Sequence, residues 1–182
     1  MSPRPSTHIE PRGSTAFARH YIRDLVYGAN DGIITTFAVV GGVVGGALPA
    51  AVVLIVGVAN LAADGASMGV GNFLAIRADE RAREADNLPE LEAYPWKHGL
   101  ATFVAFVVAG TVPLLPFALG LPAGTRFAWS SGATFVALFG LGVARAVVTA
   151  DVWWKTGLEN LALGAVVTLA AYGAGALAAS LV

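Results

Sequence analysis

Five long apolar stretches constrain this chain more than any other feature of its sequence. A helix needs about 20 consecutive apolar residues to cross a bilayer, and within lipid the backbone is satisfied only in helices or closed barrels. Charged residues make up 13% of the chain, against about 25% in soluble domains. The pattern predicts an all-α integral membrane protein with five transmembrane helices. We place them near residues 24–46, 50–76, 99–120, 127–149 and 159–181.

The distribution of Lys and Arg predicts the orientation. Cytoplasmic loops of membrane proteins carry an excess of these residues. With the N-terminus in the cytoplasm, all of the basic side chains fall on that side except Arg126. Trp96, Trp153 and Trp154 then lie at the cytoplasmic interface, where aromatic side chains are enriched. We therefore expect a cytoplasmic N-terminus and a C-terminus on the opposite side.

The polar parts of the chain are short. Residues 1–20 contain several prolines and no apolar core, so we expect a flexible cytoplasmic tail there. Residues 21–182 form the five-helix transmembrane domain. Within that domain, residues 77–98 are a cytoplasmic link with charges of both signs, and its helix-forming residues should extend helix 2 into the cytoplasm as far as Asn87.

Two carboxylates are embedded in the first two stretches, Asp31 in GANDGIITTF and Asp64 in NLAADGASMGVGNF. An aspartate at the centre of a membrane helix costs about 2.5–3.5 kcal/mol, so it needs a reason to be there. At the rise of an α-helix, both lie about 22–24 Å below the outer ends of their helices. No Lys, Arg or His lies near that depth on any stretch. A functional role is therefore favoured over a structural ion pair.

Each of these two helices has one polar face, because residues three, four or seven apart lie on the same side. Oxygen ligands favour Mg, Ca or Mn, and a thioether shifts the preference toward Fe(II). Carboxylates can also exchange a bound metal ion for protons. The two faces predict a pathway for a divalent metal ion coupled to protons. They hold Asp24, Gly28, Asp31 and Thr35 on helix 1, and Asn60, Asp64, Ser67 or Met68, and Gly71 on helix 2.

Several of these residues also have simpler interpretations. Met68 could fill an apolar gap. Asp24, beside Arg23 at the membrane edge, could be a solvated cap or half of an ion pair. Hydrogen bonding between helices is the simpler role for the neutral polar residues, which are Thr35, Asn60 and Ser67.

Outside the two faces, the candidates are weaker. Six acidic residues of the link could collect metal ions, but the interleaved arginines favour a solvated, salt-bridged surface. They are Asp79, Glu80, Glu84, Asp86, Glu90 and Glu92, of which Glu80 and Glu84 share a helix face. The three histidines, His8, His20 and His98, show no metal-ligand spacing and are expected at the surface. Three glycine pairs with small-xxx-small spacing allow backbones to approach closely, within or between protomers: Gly41 with Gly45, Gly42 with Gly46, and Gly65 with Gly69.

The segments RDLVYGANDGIITTFAVVGGVVGG and ANLAADGASMGVGNFLA resemble the vacuolar iron transporter family. A later segment, KTGLENLALGAVVTLAAYGAG, is similar to the last helix of that family, so the resemblance covers residues 20–182. It implies a five-helix homodimer that moves Fe²⁺, and often Mn²⁺, out of the cytosol in exchange for protons, between helices 1 and 2 of both protomers. By motif position, Asp31 and Met68 would be the central transport ligands, with Asp24 toward the cytoplasmic mouth.

The chain departs from the family pattern in two places. Better-known members carry a Glu- and Met-rich cytoplasmic metal-binding domain between helices 2 and 3, whereas this chain has only the short link, so it resembles a short form. Asn60 occupies the position where the family usually has a carboxylate, and Asp64 lies one turn nearer the cytoplasm. A carboxylate that has moved along its helix face would account for both residues.

Proton-coupled transport of Fe²⁺ or Mn²⁺ is the leading hypothesis, with the metal as substrate and no permanently bound cofactor. The expected partners are membrane lipid and a second copy of the chain, and no nucleic acid. One alternative is a non-transporting membrane scaffold or metal sensor that binds ions through the link. A membrane enzyme is less favoured, because no Ser-His or His-rich constellation supports it. The compact chain without a targeting segment suggests a bacterial inner membrane, and an organelle membrane is the alternative.

Overall fold

A computed structural model describes residues 5–181, and five of its helices are long and apolar enough to cross a membrane. The prediction of an all-α, five-helix membrane protein is confirmed. The helices are α1 (Ser14–Gly45), α2 (Ala50–Ala85), α3 (Pro95–Gly110), α4 (Arg126–Thr149) and α5 (Trp153–Leu181). A 3-10 turn, Val112–Leu114, and a short helix, Leu115–Ala118, continue the path of α3, so the third membrane span is Pro95–Ala118.

The boundaries of α2 follow the local sequence. Pro49 precedes its first turn and α1 ends at Gly45, with Ala47 at a φ of 52° in the turn between them. At its other end, α2 runs far beyond the apolar stretch to Ala85, and Asn87 then takes a φ of 57°. Asparagine tolerates this left-handed conformation better than most residues, so it ends the helix. The predicted extension of helix 2 is confirmed.

Two boundaries differ from our expectation. Helix α1 begins at Ser14, inside the stretch that we expected to be a tail, because residues 14–20 contain helix formers and no proline. The third apolar stretch is interrupted after Gly110 by Pro113 and Pro116, which lack the N–H that a continuous helix needs.

Residues before α1 are attached to the link between α2 and α3. The N–H of Thr7 donates to the carbonyl of Glu90 at 2.8 Å, and the N–H of Glu90 donates to the carbonyl of Pro5 at 2.9 Å. These two bonds form an isolated parallel bridge between Ser6 and Glu90. Because α2 ends at Ala85 and α3 begins at Pro95, the link in the structure is residues 86–94, shorter than the 77–98 expected from the sequence. We call the end of the helix bundle that carries residues 5–13 and this link the link end.

Helix α1 is central and contacts the other four membrane helices. Its glycines allow two neighbours to approach closely. A Cβ built on Gly32 would lie 2.3 Å from the carbonyl oxygen of Phe106 in α3, and one on Gly45 would lie 2.4 Å from that of Tyr172 in α5. Gly65 and Gly69 face α3 in the same way. The predicted glycine contacts therefore form within the protomer.

Candidate functional site

Asp31 and Asp64, which we call the carboxylate pair, lie on the neighbouring helices α1 and α2. Asp31 is half-buried and Asp64 is exposed. The two are close enough for their charges to interact. Within residues 5–181, neither side chain has a hydrogen bond or an ion pair. Both carboxylates are therefore available to a cation, and they would share its charge.

The polar residues around the carboxylate pair are only partly satisfied. The Nδ2 of Asn60 and the Oδ1 of Asn30 are buried without a hydrogen-bond partner. Thr35 does not bond between helices, because its hydroxyl donates to the backbone carbonyl of Asp31 at 2.8 Å. Ser67 is exposed on α2. Of these two unpartnered amides, Asn30 is adjacent to Asp31 in sequence, and Asn60 lies one helical turn from Asp64.

Met68 is half-buried and packs against the apolar cluster that contains Leu61 and Phe106. This position is compatible with a packing role and with a ligand role, since the thioether is not fully enclosed. The sequence alone left the same two interpretations open.

Asp24 is in a different situation from the carboxylate pair, because it is only 1% exposed and fully partnered. Its Oδ1 accepts a hydrogen bond from Asn72 Nδ2 at 2.8 Å, and its Oδ2 accepts one from His98 Nδ1 at 2.5 Å. Arg23 lies 3.5 Å away. Asp24 is therefore not a solvated helix cap. It is a buried ion-pair partner.

The expectation that His98 is at the surface was wrong. Its side chain is buried, because α3 begins at Pro95 and its first turn packs against α1. Asn72 was missed as well. It donates a second hydrogen bond to Thr102 Oγ1 at 2.8 Å. A signal for Asn72 was present in the sequence, since it lies one turn after Met68 on the polar face of α2.

Glu92 in the link gathers all three histidines of the chain. Its carboxylate oxygens lie 2.9 Å from His98 Nε2, 3.2 Å from His20 Nε2 and 3.3 Å from His8 Nδ1. The His8 side chain is only 7% exposed, so the surface expectation was wrong for His8, whereas His20, at 24%, is partly exposed. We call the set of Asp24, Glu92, His8, His20 and His98 the link cluster.

Hydrogen bonds keep Glu92 charged. Burial alone would raise the pKa of its carboxyl group. Hydrogen bonds from His98 and from the backbone N–H of Tyr94, together with the charges of His98 and His8, outweigh burial and hold the pKa below its ordinary value. The link cluster therefore contains an ionised carboxylate.

Glu80 positions the link rather than facing solvent beside Glu84. Its Oε1 accepts the N–H groups of Leu91 at 3.0 Å and Glu92 at 2.8 Å, and the side chain is buried, whereas Glu84 is exposed. The two glutamates do not form the shared acidic face that we had considered for metal capture. The extension of α2 instead folds the link under the start of α3.

A cavity of about 560 Å³ lies at the link end. It is lined by residues of α1, α2 and the link, among them Asp24, Asn72, Glu92 and His98. Asp24 therefore lines a cavity at the link end.

The sequence profile of the VIT family matches residues 22–90 and 82–176. The chain belongs to the VIT family. The resemblance drawn from its motifs is thereby confirmed, and since only residues 86–94 separate α2 from α3, this member has no domain inserted there.

Three relatives illustrate the similarity. "Vacuolar iron transporter 1" of Arabidopsis thaliana is 25% identical, over 90% of this chain and 92% of its own length. "Vacuolar iron transporter 1" of Oryza sativa is 25% identical, over 84% of this chain and 83% of its own. "Vacuolar iron transporter" of Toxoplasma gondii is 38% identical, over 54% of this chain and 37% of its own.

Proposed function

We propose that this VIT family member transports divalent metal ions across a membrane, with Fe²⁺ as its principal cargo, Mn²⁺ as a second cargo and protons as the counter-ion. It is a transporter and not an enzyme. The family assignment and the names of the relatives, which are vacuolar iron transporters, support this function.

The absence of partners at the carboxylate pair carries the proposal. An ionised aspartate in a membrane helix is expensive and marks an ion pathway in most cases. Asp31 and Asp64 have no cationic partner within residues 5–181, so a passing divalent ion would balance both charges. Protons would take its place after release, which gives one site both metal binding and proton coupling.

A second copy of the chain would complete the pathway. Asp64 and Ser67 lie on the exposed side of α2, together with small residues such as Ala59 and Ala63. Small residues allow helices to pack closely in lipid, and burial between two α2 helices would remove Asp64 from lipid. The homodimer therefore places two carboxylate pairs around one route.

Cysteine cross-linking tests the dimer. The chain has no cysteine, so a single one can be introduced at will. Ala63→Cys on the exposed side of α2 should give a cross-linked dimer on oxidation, whereas Leu169→Cys on the exposed side of α5 should not. Equal cross-linking at both positions, or none at Ala63, would refute an α2 interface.

We assign the route to an organelle membrane. The relatives are named vacuolar, which fits an organelle and gives no support to the bacterial inner membrane expected from the compact chain. The excess of Lys and Arg at the link end supports a cytosolic location for that end. Metal ions would enter beside Asp24 and leave the cytosol.

Transport by the purified protein in vesicles is the direct test. Under a pH gradient, and with an internal pH dye, Fe²⁺ influx should be accompanied by proton movement. Asp31→Asn should reduce the flux about a hundredfold, since loss of even an outer-shell partner costs about 10–100-fold in metal affinity. Asp151→Asn, which removes an exposed carboxylate outside the spans, is the matched control and should leave flux unchanged. Normal flux in the Asp31 variant would overturn the proposal.

Met68→Leu separates a thioether ligand from an apolar filler. Leucine keeps most of the apolar volume but has no sulfur, so a ligand role predicts a larger loss of Fe²⁺ flux than of Mn²⁺ flux. Equal effects on the two ions would leave Met68 as a packing residue.

A further inference from the structure

Two histidines and a glutamate at the link end have the arrangement of a metal site outside the membrane-embedded pathway. One ligand atom each from His8, His20 and Glu92 lies within 4.8 Å of the other two. His8 and Glu92 are 84 positions apart in sequence, and the bridge between Ser6 and Glu90 brings them together. The residues are therefore held by the fold and not by local spacing.

The separations suit ligands of one ion. Atoms bound at about 2.0–2.1 Å to a common ion lie about 3.0–3.4 Å from one another. His8 Nδ1 lies 3.3 Å from Glu92 Oε1, and His20 Nε2 lies 3.2 Å from Glu92 Oε2. Both nitrogens are buried and close to Glu92, yet neither makes a hydrogen bond. Buried polar atoms without a hydrogen bond are costly, and a cation bound between them and Glu92 would satisfy them.

The group behind His8 also matches a metal site. Metal-binding histidines usually donate their other ring N–H to a carboxylate, which turns the free lone pair toward the ion. His8 Nε2 lies 3.1 Å from Glu10 Oε2, which leaves Nδ1 to face Glu92. His98 is held by Asp24 through Nδ1, and its Nε2 lies 2.9 Å from Glu92 Oε2. His98 therefore contacts the same carboxylate as the two candidate ligands and links it to Asp24.

We propose that His8, His20 and Glu92 form a binding site for a divalent first-row transition metal ion. Two imidazoles and one carboxylate suit Fe²⁺, and the same set accepts Co²⁺ or Zn²⁺. His20 lines both the 560 Å³ cavity that contains Asp24 and a broader groove beside His8. The site therefore lies where an ion would pass from the groove toward Asp24.

The binding of metal at this site does not depend on the transport function, whereas its role as a loading site does. As a loading site it would raise the local concentration of ions at the mouth of the pathway. It would perform the capture step at the link end, where this chain has no inserted domain.

Binding of Co²⁺ to the purified full-length protein in detergent tests the site. The double variant Asp31→Asn, Asp64→Asn is the background, so that the carboxylate pair does not contribute. We expect one Co²⁺ per chain by equilibrium dialysis, with a visible spectrum that reports nitrogen ligation. Adding His8→Ala or His20→Ala should weaken binding about 10–100-fold. Glu84→Gln, which removes an exposed carboxylate of the same region, should not.

A second measurement uses the wild-type chain, so that its result does not depend on whether a variant folds. Bound Co²⁺ should protect His8 and His20 of the wild-type chain from modification by diethylpyrocarbonate, read by mass spectrometry. Equal modification with and without Co²⁺, or unchanged Co²⁺ affinity in folded His8→Ala and His20→Ala, would overturn the site.

Transport assays distinguish metal binding at this site from its role as a loading site. In vesicles, His20→Ala should raise the Fe²⁺ concentration for half-maximal flux about tenfold while maximal flux stays unchanged. Unchanged half-maximal concentration with lost Co²⁺ binding would refute the loading role alone. Absence of flux in the wild-type protein with intact Co²⁺ binding would refute the proposed function and leave the site.

Discussion

The link cluster and the carboxylate pair use the same kind of side chain in opposite ways. Asp24, on α1, is buried and bonded to His98 and Asn72. Asp31, two turns further along the same helix, has no side-chain partner within residues 5–181. The first carboxylate has partners within the protein, and the second has none among the described residues, as the proposed cation site requires.

Because of this difference, we expect the link cluster to contribute to stability and the carboxylate pair to function. A partnered carboxylate contributes to the folded state, and its removal leaves other buried groups without a partner. An unpartnered carboxylate costs free energy in the folded state and is retained for binding. Substitutions in the two regions should therefore have different effects on unfolding, even where both reduce transport.

The largest loss of stability is expected from Asp24→Ala. It leaves His98 Nδ1 and Asn72 Nδ2 without their shared acceptor in a buried site, and breaking a buried pair in this way costs about 3–5 kcal/mol. Unfolding in detergent, followed by circular dichroism, would show a lower midpoint. The control is Arg23→Ala, whose side chain is 69% exposed and which should have little effect. A stable Asp24→Ala variant would remove the distinction between the two regions.

The sequence was sufficient for the fold and for the carboxylate pair because both depend on local patterns. Stretches of apolar residues predict the membrane helices, and the cost of charge in lipid singles out Asp31 and Asp64 wherever they lie on those helices. The break after Gly110 could have been predicted, since Pro113 and Pro116 are visible in the third stretch. The early start of α1 is a boundary effect of a few helix-forming residues.

The sequence was not sufficient for the link cluster because its contacts are distant along the chain. Asp24 and His98 are 74 positions apart, and helix periodicity relates only residues on one helix. The meeting of His8 with Glu92 depends in addition on Glu80, which folds the link, and on the bridge at Glu90. These depend on the packing of three segments, so the histidines could not be identified as a group from their spacing.

A smaller loss of stability is expected from Gly32→Ala, because the close contact between α1 and α3 at Gly32 supports both regions. In Gly32→Ala, the new Cβ would lie 2.3 Å from the carbonyl oxygen of Phe106, so α1 and α3 must separate. Overpacking of this kind costs about 1–3 kcal/mol. The shift should weaken the contact between Asp24 and His98 and also change the position of Asp31. Unfolding and Fe²⁺ flux should therefore both be impaired.

The control is the same glycine-to-alanine change at Gly140, where there is room for a Cβ. A Cβ on Gly140 in α4 would meet no atom within 4 Å. Gly140→Ala should leave stability unchanged or raise it by about 0.4–1 kcal/mol, because alanine restricts the unfolded chain. If the two alanine variants unfold alike, the close approach of α1 and α3 does not limit the structure.

The smallest effect on stability is expected from Asp64→Asn. No group within residues 5–181 bonds to this carboxylate, so neutralising it deprives no buried atom of a partner, and the free energy of unfolding should change by less than about 0.5 kcal/mol. Asp24→Asn, the same substitution in the link cluster, weakens two hydrogen bonds to a charged acceptor, each contributing about 1.5–3 kcal/mol. Unfolding of both variants in one detergent gives the comparison. A loss of more than about 1 kcal/mol in Asp64→Asn would mean that Asp64 has a structural partner in the second copy, and the carboxylate pair would then resemble the link cluster.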